Sequence, residues 1–343
     1  MSHPLMVETH GDPLGTIRQL LKTIWRNAKL EVVLTPTDDS AEIKQSPSLL
    51  NSPDELDSFN PFKPLMTSNT ARFIPNLLGS FGNKQKIGAV LRPCELRALQ
   101  GLEKNFRLST EGLLTISFDC LGTYPLEDYN WRTQRKGSID QLTQETIQFA
   151  KHGGIVPYRF RAACQVCQSP AGEDAHVNIG VIGLPIRQYI LLTFKEKELE
   201  GLLTSNGLGI MRADQHLMNH RSLTLAKVIE RNHRVSERIR QGMADLFPTS
   251  FEQFVETFAE CGDCQKCMQV CPLCAIQMPI RSESGEYLME EIVRWAESCA
   301  GCGMCEQVCP RHRPLSTIFS YVREQLHQAS IAPNLPSRSL LLH

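Results

Sequence analysis

Eight of the thirteen cysteines in the sequence fall into two copies of one spacing, C-x₂-C-x₂-C-x₃-C, and a proline directly follows each copy. The first copy comprises Cys261, Cys264, Cys267 and Cys271. The second copy comprises Cys299, Cys302, Cys305 and Cys309. Thiolates are soft ligands, so cysteines at this close spacing indicate metal binding, and above all binding of iron–sulfur clusters.

The spacing also indicates which metal group fits best. Three thiolates in a tight loop can each reach a different iron of a cubane cluster, whereas the fourth ligand has to come from elsewhere. In two-cluster ferredoxins it comes from the other copy, because the proline after it turns the chain toward the second cluster. One predicted [4Fe–4S] cluster is therefore bound by Cys261, Cys264, Cys267 and Cys309. The other predicted cluster is bound by Cys299, Cys302, Cys305 and Cys271.

Paired zinc sites are the alternative to these two clusters. A zinc site usually takes its four ligands from two C-x₂-C pairs. It needs neither the third cysteine that follows after two more residues nor the C-P that follows after another three. The loop glycines Gly262, Gly301 and Gly303 suit a backbone that passes close to inorganic sulfide and donates N–H bonds to it. Cys274 is left over, and its simplest interpretation is a buried thiol near a cluster.

Four further cysteines lie outside the two copies: Cys94, Cys120, Cys164 and Cys167. Cys94 follows the apolar run IGAVL, and Cys120 ends the run LLTISFD. If these runs are parallel neighbouring strands, both cysteines lie at the carboxyl edge of the sheet, where α/β folds bind ligands. Cys164 and Cys167 form a C-x₂-C pair that could complete a four-thiolate site. Such a site would hold a cluster or zinc, and buried thiols without metal are the third interpretation.

The composition is that of an ordinary globular protein, with 41% hydrophobic residues, 21% charged residues and a formal net charge of −1. This balance gives no indication of a nucleic-acid partner or a charged lipid surface. No apolar run is long enough for a membrane span, and the first residues lack the pattern of a signal peptide. We therefore expect a cytoplasmic protein without direct membrane insertion. Disulfides are rare in that reducing compartment, so metal binding is the leading use of so many cysteines.

Apolar periodicity predicts the elements that position the cysteines. The predicted strands are LEVVLTP, IGAVL, LLTISFD, VNIGVIGL and QYILLTF, and the predicted helices are LGTIRQLLKTIWRNA, SNTARFIPNLLGSF, ELRALQGLEKN, LAKVIERNHRVSERIRQGMADLF and TIFSYVREQLHQAS. Strand, helix and strand in succession favour a βαβ unit with a parallel sheet. The polar stretch from Pro36 to Pro64 is interpreted as a surface excursion. The basic run ERNHRVSERIR would suit an acidic partner, although a solvated helix face is its usual meaning.

These elements predict an α/β N-terminal domain with a mostly parallel sheet, followed by an α+β two-cluster ferredoxin-like domain. The α/β domain is expected over residues 1–215 and a helical connector over 216–254. The ferredoxin-like domain is expected over 255–328, and a loose tail over 329–343.

At RPCELRAL, DCLGTY and ACQVC the chain resembles the beta-subunit family of coenzyme F420-reducing hydrogenases and dehydrogenases. The resemblance extends to NPFKPLMTSNTAR and AHVNIGVIG, so it covers about residues 60–195, and the two cysteine copies add 255–312. Members of that family are flavin and iron–sulfur electron-transfer subunits. The resemblance implies FAD as a further cofactor. It also implies a third [4Fe–4S] cluster on Cys94, Cys120, Cys164 and Cys167.

We therefore expect an oxidoreductase subunit that relays electrons through two or three [4Fe–4S] clusters, to or from a flavin. The resemblance implies partner redox subunits of a hydrogenase, formate dehydrogenase or heterodisulfide-reductase-like complex. The alternative is a non-catalytic electron-wiring subunit without flavin or substrate site, which the lack of a G-x-G-x-x-G fingerprint favours. No residue pattern typical of hydrolysis stands out, so all of the clear chemistry is electron transfer.

Overall fold

The computed structural model describes residues 3–38, 45–81, 86–136, 138–154, 159–203, 208–244, 247–259, 264–283 and 285–331. Within these ranges one sheet is formed by β1 (Leu5–Glu8), β2 (Val32–Asp38), β3 (Gln45–Leu50), β4 (Ile87–Leu91), β5 (Leu113–Phe118), β6 (Val177–Gly180), β7 (Tyr189–Phe194) and β8 (Ile210–Arg212). The helices of the α/β part are α1 (Pro13–Ala28), α2 (Ile74–Phe81), α3 (Pro93–Phe106), α4 (Leu126–Lys136), α5 (Ile139–Phe149), α6 (Ala162–Gln165) and α7 (Gln215–Gly242). The cysteine-rich part contains α8 (Phe251–Ala259), α9 (Lys266–Gln269), α10 (Met289–Ser298), α11 (Met304–Gln307) and α12 (Leu315–Ile331).

The strands lie across the sheet in the order β3-β2-β4-β5-β6-β7-β1-β8. The central strands β2, β4, β5 and β6 are parallel, which confirms the predicted α/β class and its parallel core. The outer strand pairs are antiparallel, β2 with β3 on one side of the sheet and β6–β7, β7–β1 and β1–β8 on the other, whereas we expected a mostly parallel sheet. The physical reason at one edge is the short connection from β6 to β7, which leaves no room for the crossover helix that a parallel pair requires.

Local sequence explains why these elements form where they do. All five residues of β4 are buried, as expected for a continuous apolar run in the middle of a parallel sheet. α3 connects β4 to β5, so the predicted βαβ unit is present. α1 begins where the Asp12 side chain accepts from the Gly15 N–H at 2.9 Å, and Pro13 is its first residue.

The interpretation of Pro36–Pro64 as a surface excursion is wrong for its described residues. β3 pairs with β2 at the edge of the sheet, and the side chains of Leu56, Phe59 and Phe62 are all buried. The periodicity missed them because single apolar residues are separated by polar ones, so neither a helical nor a strand pattern appears. Residues 39–44 of this stretch lie outside the described part.

The cysteine-rich part has a second core, built mainly from aromatic side chains. Phe254, Phe258, Trp295 and Phe319 pack edge-to-face or tilted, with ring centroids 4.8 to 6.0 Å apart. In the described part of this region no extended strand forms, and an isolated bridge pairs Arg281 with Tyr287. The α+β ferredoxin-like assignment and the domain boundaries therefore stay predictions. None of the described helices is long and apolar enough to cross a bilayer.

A buried ion pair holds α7 against the carboxyl edge of the sheet. The Arg221 side chain donates to both carboxylate oxygens of Asp119, which also accepts from the N–H groups of Val181 and Ile182 at 2.8 and 2.9 Å. Both side chains are almost inaccessible to solvent. Asp119 precedes Cys120, so this interaction fixes the backbone next to one of the cysteines of interest.

We expect the Arg221→Met variant to lose about 3 kcal/mol of unfolding free energy, because it leaves the Asp119 carboxylate buried without its counter-charge. Urea titration of the anaerobic protein, followed by circular dichroism, measures the loss. Arg234→Met on the same helix is the matched control: its ion pair with Glu230 is exposed and is expected to contribute less than about 1 kcal/mol. Equal losses in the two variants would contradict the anchoring role.

Candidate metal centres

Four of the five cysteines outside the two copies line a single cavity of about 50 Å³. We call this group the cavity site: Cys94, Cys120, Cys164 and Cys167. Cys94 is the second residue of α3, directly after β4, and Cys120 follows β5. Because β4 and β5 are parallel neighbours, with Leu91 opposite Ser117, both chains leave the sheet at the same edge. The sheet-edge argument thus predicted the position of these two cysteines.

Backbone and side-chain hydrogen bonds hold the loops of the cavity site. The Cys120 N–H donates to the Pro170 carbonyl at 2.8 Å. The side-chain amide of Asn232, on α7, donates to the Cys167 carbonyl at 2.6 Å. α7 therefore does more than connect two parts of the chain, since its inner face closes the cavity.

The cavity has a positively charged lining. Among the described residues it contains no carboxylate and three arginines: Arg92, Arg161 and Arg231. The Arg92 guanidinium donates to the Leu65 carbonyl at 2.7 Å, which ties the segment NPFKPLMTSNTAR to the start of α3. A cavity with four thiols and three cations suits an anionic group.

Arg161 is the most unusual of these cations, because it is only 5% exposed and has no hydrogen bond or ion pair with a carboxylate among the described residues, although Glu306 acts on it electrostatically without such a contact. It donates to Thr123 Oγ1 at 2.7 Å, and the Gln307 amide, with its oxygen turned toward the guanidinium, accepts at 2.9 Å. Its other contacts are sulfur atoms at 3.2 to 3.7 Å: Met66 Sδ, Met304 Sδ and Cys164 Sγ. A buried guanidinium normally requires a counter-charge, and here the nearby thiols are the groups that can supply it.

The pKa shifts of the cavity-site thiols are consistent with negative charge next to Arg161. Burial raises the pKa of Cys94 well above its usual value, and burial with the neighbouring Cys164 raises the pKa of Cys120 to about 11. Burial acts in the same direction on Cys164, but the Arg161 guanidinium and the hydrogen bond with Thr123 outweigh it and lower the pKa of that thiol. The cation therefore favours a thiolate at this position.

Four cysteines from the two copies form a second group, which we call the inner site: Cys271, Cys299, Cys302 and Cys305. Burial, reinforced by Cys302 and Cys271, raises the pKa of Cys299 to about 12. Burial and the other three thiols raise the pKa of Cys305 well above its usual value. The thiols of this group therefore act on one another electrostatically. The inner site has the crossed composition expected from the spacing, with three cysteines of one copy and the last cysteine of the other.

Hydrogen bonds to sulfur distinguish Cys271 and Cys299 within the inner site. A hydrogen bond from Cys274 and one from the Trp295 indole, at 3.2 Å, bring the pKa of Cys271 down to about 7. The same pairing raises the pKa of Cys274, which keeps its proton and acts as the donor. The Gly301 N–H donates to Cys299 Sγ at 3.4 Å, as expected for this loop glycine. Donors aimed at cysteine sulfur are a feature of iron–sulfur sites.

The third group, which we call the outer site, comprises Cys264, Cys267 and Cys309, together with Cys261 by its spacing. The first three line one cavity of about 50 Å³, next to the buried Phe258. Cys261 and Gly262 lie outside the described residues. Cys309 comes from the second copy and the other two from the first, so this group is also crossed.

The cavity site and the inner site are immediate neighbours. Gly301 and Cys302 of the second copy line the same cavity as the four thiols of the cavity site. Gly303 has φ +67°, and a Cβ placed on it would lie 2.3 Å from Cβ of Ala163 in α6. Only glycine permits this contact, so the second copy packs directly against the helix that carries Cys164.

The twelve cysteines that the structure describes are all free thiols. Within the same residues, no three His, Cys, Asp or Glu side chains form a group that could hold one metal ion. A four-iron cluster is larger than a single ion and is surrounded by its four thiolates. Cavities lined by several thiols therefore bear on cluster binding more directly than the fit of a single ion does.

A larger open cleft of about 690 Å³ lies beside Cys167, between α7 and α12. Each of its three arginines already binds a carbonyl or a carboxylate: Arg97, Arg240 and Arg323. Three glutamates balance their charge: Glu237, Glu297 and Glu324. These residues do not form a cradle for a diphosphate, so no contact is assigned to the FAD that the resemblance implies.

Sequence reasoning did not find Arg161 or Trp295, which both contact candidate ligands. The position of Arg161 three residues before Cys164 was the available signal, because a cation so close along the chain to a candidate thiolate can interact with it. Trp295 offered no local signal, since it reaches Cys271 from a separate helix.

No family model matches the chain. Over 303 residues it is 23% identical to the beta subunit of F420-dependent formate dehydrogenase 1 from Methanococcus maripaludis, and the match covers 80% of this chain and 75% of that protein. In fold it is similar to a chain of the F420-reducing [NiFe] hydrogenase complex from Methanosarcina barkeri, studied by xenon derivatization. The TM-score is 0.52 at 10% identity, and the match covers 70% of this chain and 92% of that chain. Together these likenesses confirm the resemblance to the beta-subunit family of coenzyme F420-reducing hydrogenases and dehydrogenases.

Proposed function

We propose that the chain is an iron–sulfur electron-transfer subunit of a multi-subunit oxidoreductase and that it binds three [4Fe–4S] clusters. Both relatives described above are parts of F420-dependent or F420-reducing oxidoreductases, which supports the general class. The cysteine geometry supports the finer proposal. The uniformly free thiols suit a reducing, cytoplasmic location.

The observation that carries the proposal is the cavity site. Its four thiols come from three separate segments of the α/β part, meet in one cavity and lie beside a buried guanidinium that has no hydrogen bond or ion pair with a carboxylate among the described residues. Structural cysteines have no need of a cationic cavity. A four-iron cluster with four thiolate ligands is an anion and meets both requirements. The donor set and the charge of the cavity therefore fit the group that the family resemblance implies.

The neighbour relations of the three sites support one order for the proposed relay. Cys302 is a candidate ligand of the inner site and also lines the cavity of the cavity site, so the inner site lies next to the cavity site. The outer site contains Cys309 of the same copy as the inner site. We propose the order cavity site, inner site, outer site. The clusters, when bound, supply one-electron redox capacity at each point of that order.

The protein's own residues set the environment of each site. Arg161 places a positive charge between the cavity site and Met304 of the second copy, which favours the more negative, reduced state of nearby anions. The Trp295 indole hydrogen-bonds to Cys271 Sγ and stabilises negative charge on that sulfur. Both interactions are expected to raise reduction potentials.

The identity of the two-electron partner is a separate question from the relay. The family resemblance implies FAD and partner subunits of a hydrogenase, formate dehydrogenase or heterodisulfide-reductase-like complex. The second candidate function is electron wiring without a flavin, and the engaged arginines of the cleft beside Cys167 favour it. The absorbance of the small-molecule fraction released from anaerobically purified protein decides between them, because only the first yields a flavin spectrum.

A reductive titration followed by electron paramagnetic resonance tests the relay itself. We expect three independent signals of four-iron clusters, because the structure contains three separate thiol groups. The signals of the cavity and inner sites should broaden each other when both are reduced, since these sites are neighbours. Two signals without such coupling would contradict the proposal.

Ligand assignment is tested by two serine variants in the same module. Cys302→Ser is expected to remove about four irons and to destabilise the cysteine-rich part, because metal binding and folding are coupled. Cys274→Ser is the matched control: it should leave the iron content intact, since Cys274 is a hydrogen-bond donor to Cys271 and no candidate ligand. Iron content is measured after anaerobic purification. Loss of iron from the control, or full iron in Cys302→Ser, would refute the assignment.

The electrostatic role of Arg161 is tested by Arg161→Met, which keeps an unbranched stem and removes the charge. We expect the midpoint potential of the cavity-site cluster to fall by about 100 mV, because a nearby buried cation stabilises the reduced state. Arg161→Lys keeps the charge and should shift the potential much less. Redox titration gives the potentials, and the outer-site cluster serves as an internal reference. An unchanged potential in Arg161→Met would exclude the role.

A further inference from the structure

A stripe of positive charge runs along the outer face of α7. Its members are spaced at i, i+4, i+7 and i+11, which places them on one side of the helix: Lys227, Arg231, Arg234 and Arg238. They line a shallow groove whose single acidic member is Glu230, among the residues described there. Glu230 pairs with Arg234, so the stripe keeps an excess of three positive charges.

The position of this basic stripe separates it from an ordinary solvated helix face. Arg231 lines both the groove and the cavity that holds the four thiols of the cavity site. One turn earlier, Val228 lines the cavity, and Asn232 donates to the Cys167 carbonyl at 2.6 Å. The stripe therefore lies at the mouth of the cavity site, separated from its thiols by little more than one layer of side chains.

We propose that the basic stripe of α7 docks a small acidic one-electron carrier protein over the cavity site. The proposal rests on the proposed function, since the cavity site would then be the first station of the relay. In the productive complex the reduced centre of the carrier loses one electron and the chain's cavity site gains it, so that no atoms are exchanged. Complementary charge is the recognition chemistry, because a positive face at an entry point steers a negative partner to that point.

The half-buried Arg231 adds a second argument for an acidic partner. Its guanidinium contacts the Asn232 amide oxygen at 3.2 Å, an uncharged partner. A carboxylate of a docked protein would give this cation its counter-charge, and docking would remove it further from water. Such partly desolvated charge pairs fix the register of a complex as well as its encounter rate.

The test uses association kinetics of the intact, cluster-loaded chain, measured by surface plasmon resonance at several ionic strengths. The probe is a small acidic bacterial-type ferredoxin, and cytochrome c, a basic protein of similar size, is the counter-probe. A stripe variant combines Lys227→Gln, Arg234→Gln and Arg238→Gln. A control variant combines Lys86→Gln, Lys195→Gln and Lys197→Gln, which removes the same charge from exposed residues at or near the opposite edge of the sheet.

We expect the ferredoxin to associate with a rate constant that falls steeply with salt, and the stripe variant to associate about tenfold more slowly at low salt. The control variant should behave like the unmodified chain, and cytochrome c should not bind. Equal slowing in both variants would overturn the proposal, because only net charge would then matter. Absent ferredoxin binding would overturn it as well.

Iron content, measured in parallel, distinguishes a failure of the docking proposal from a failure of the proposed function. If the chain contains three clusters but the ferredoxin does not dock, the docking proposal is wrong and the proposed function stands. If the chain lacks the cavity-site cluster but the ferredoxin still docks on the stripe in a salt-dependent way, the docking surface is supported. Its proposed role in electron transfer is then wrong.

Discussion

The buried guanidinium of Arg161 is the constraint on which the proposed account depends. It lies where the α/β part meets the second cysteine copy, and its contacts are a hydroxyl, an amide and three sulfur atoms. A charge at such a position is costly unless negative charge accompanies it. Glu306 acts on it electrostatically, and the thiols around it are the other source of negative charge, which is greatest when they bind an anionic cluster. The fold therefore makes most physical sense with a metal group in the cavity site.

The same junction brings two differently built regions of the chain into contact. The parallel strands β4 and β5 deliver Cys94 and Cys120 to the carboxyl edge of the sheet. The second copy reaches that edge because Gly303 has no side chain to collide with Ala163. Cys302 then faces the cavity from the other side. Close packing across this contact makes the cavity and inner sites neighbours, which a flexible linkage could not ensure.

Much of this arrangement was accessible from the sequence, for identifiable reasons. Spacing and a following proline are local signals, so the two copies could be recognised from the sequence, while their crossed ligation of two clusters stays a prediction. Two apolar runs placed Cys94 and Cys120 at one sheet edge. Arg161 and Trp295 were missed because their roles arise from contacts between distant segments. The apolar side chains between Pro36 and Pro64 were missed because none forms a periodic pattern. The strands β1 and β8, which pair with each other at one side of the sheet, have only four and three residues, too few to give a signal of their own.

The central claim is that three thiol groups each hold a four-iron cluster. Chemical analysis of iron and acid-labile sulfide per chain, on protein purified without oxygen, tests it most directly. The account predicts about twelve irons and about twelve sulfides. About eight of each would confine the clusters to the inner and outer sites and leave the cationic cavity unexplained. Stoichiometric zinc in place of iron would contradict the electron-transfer function as a whole.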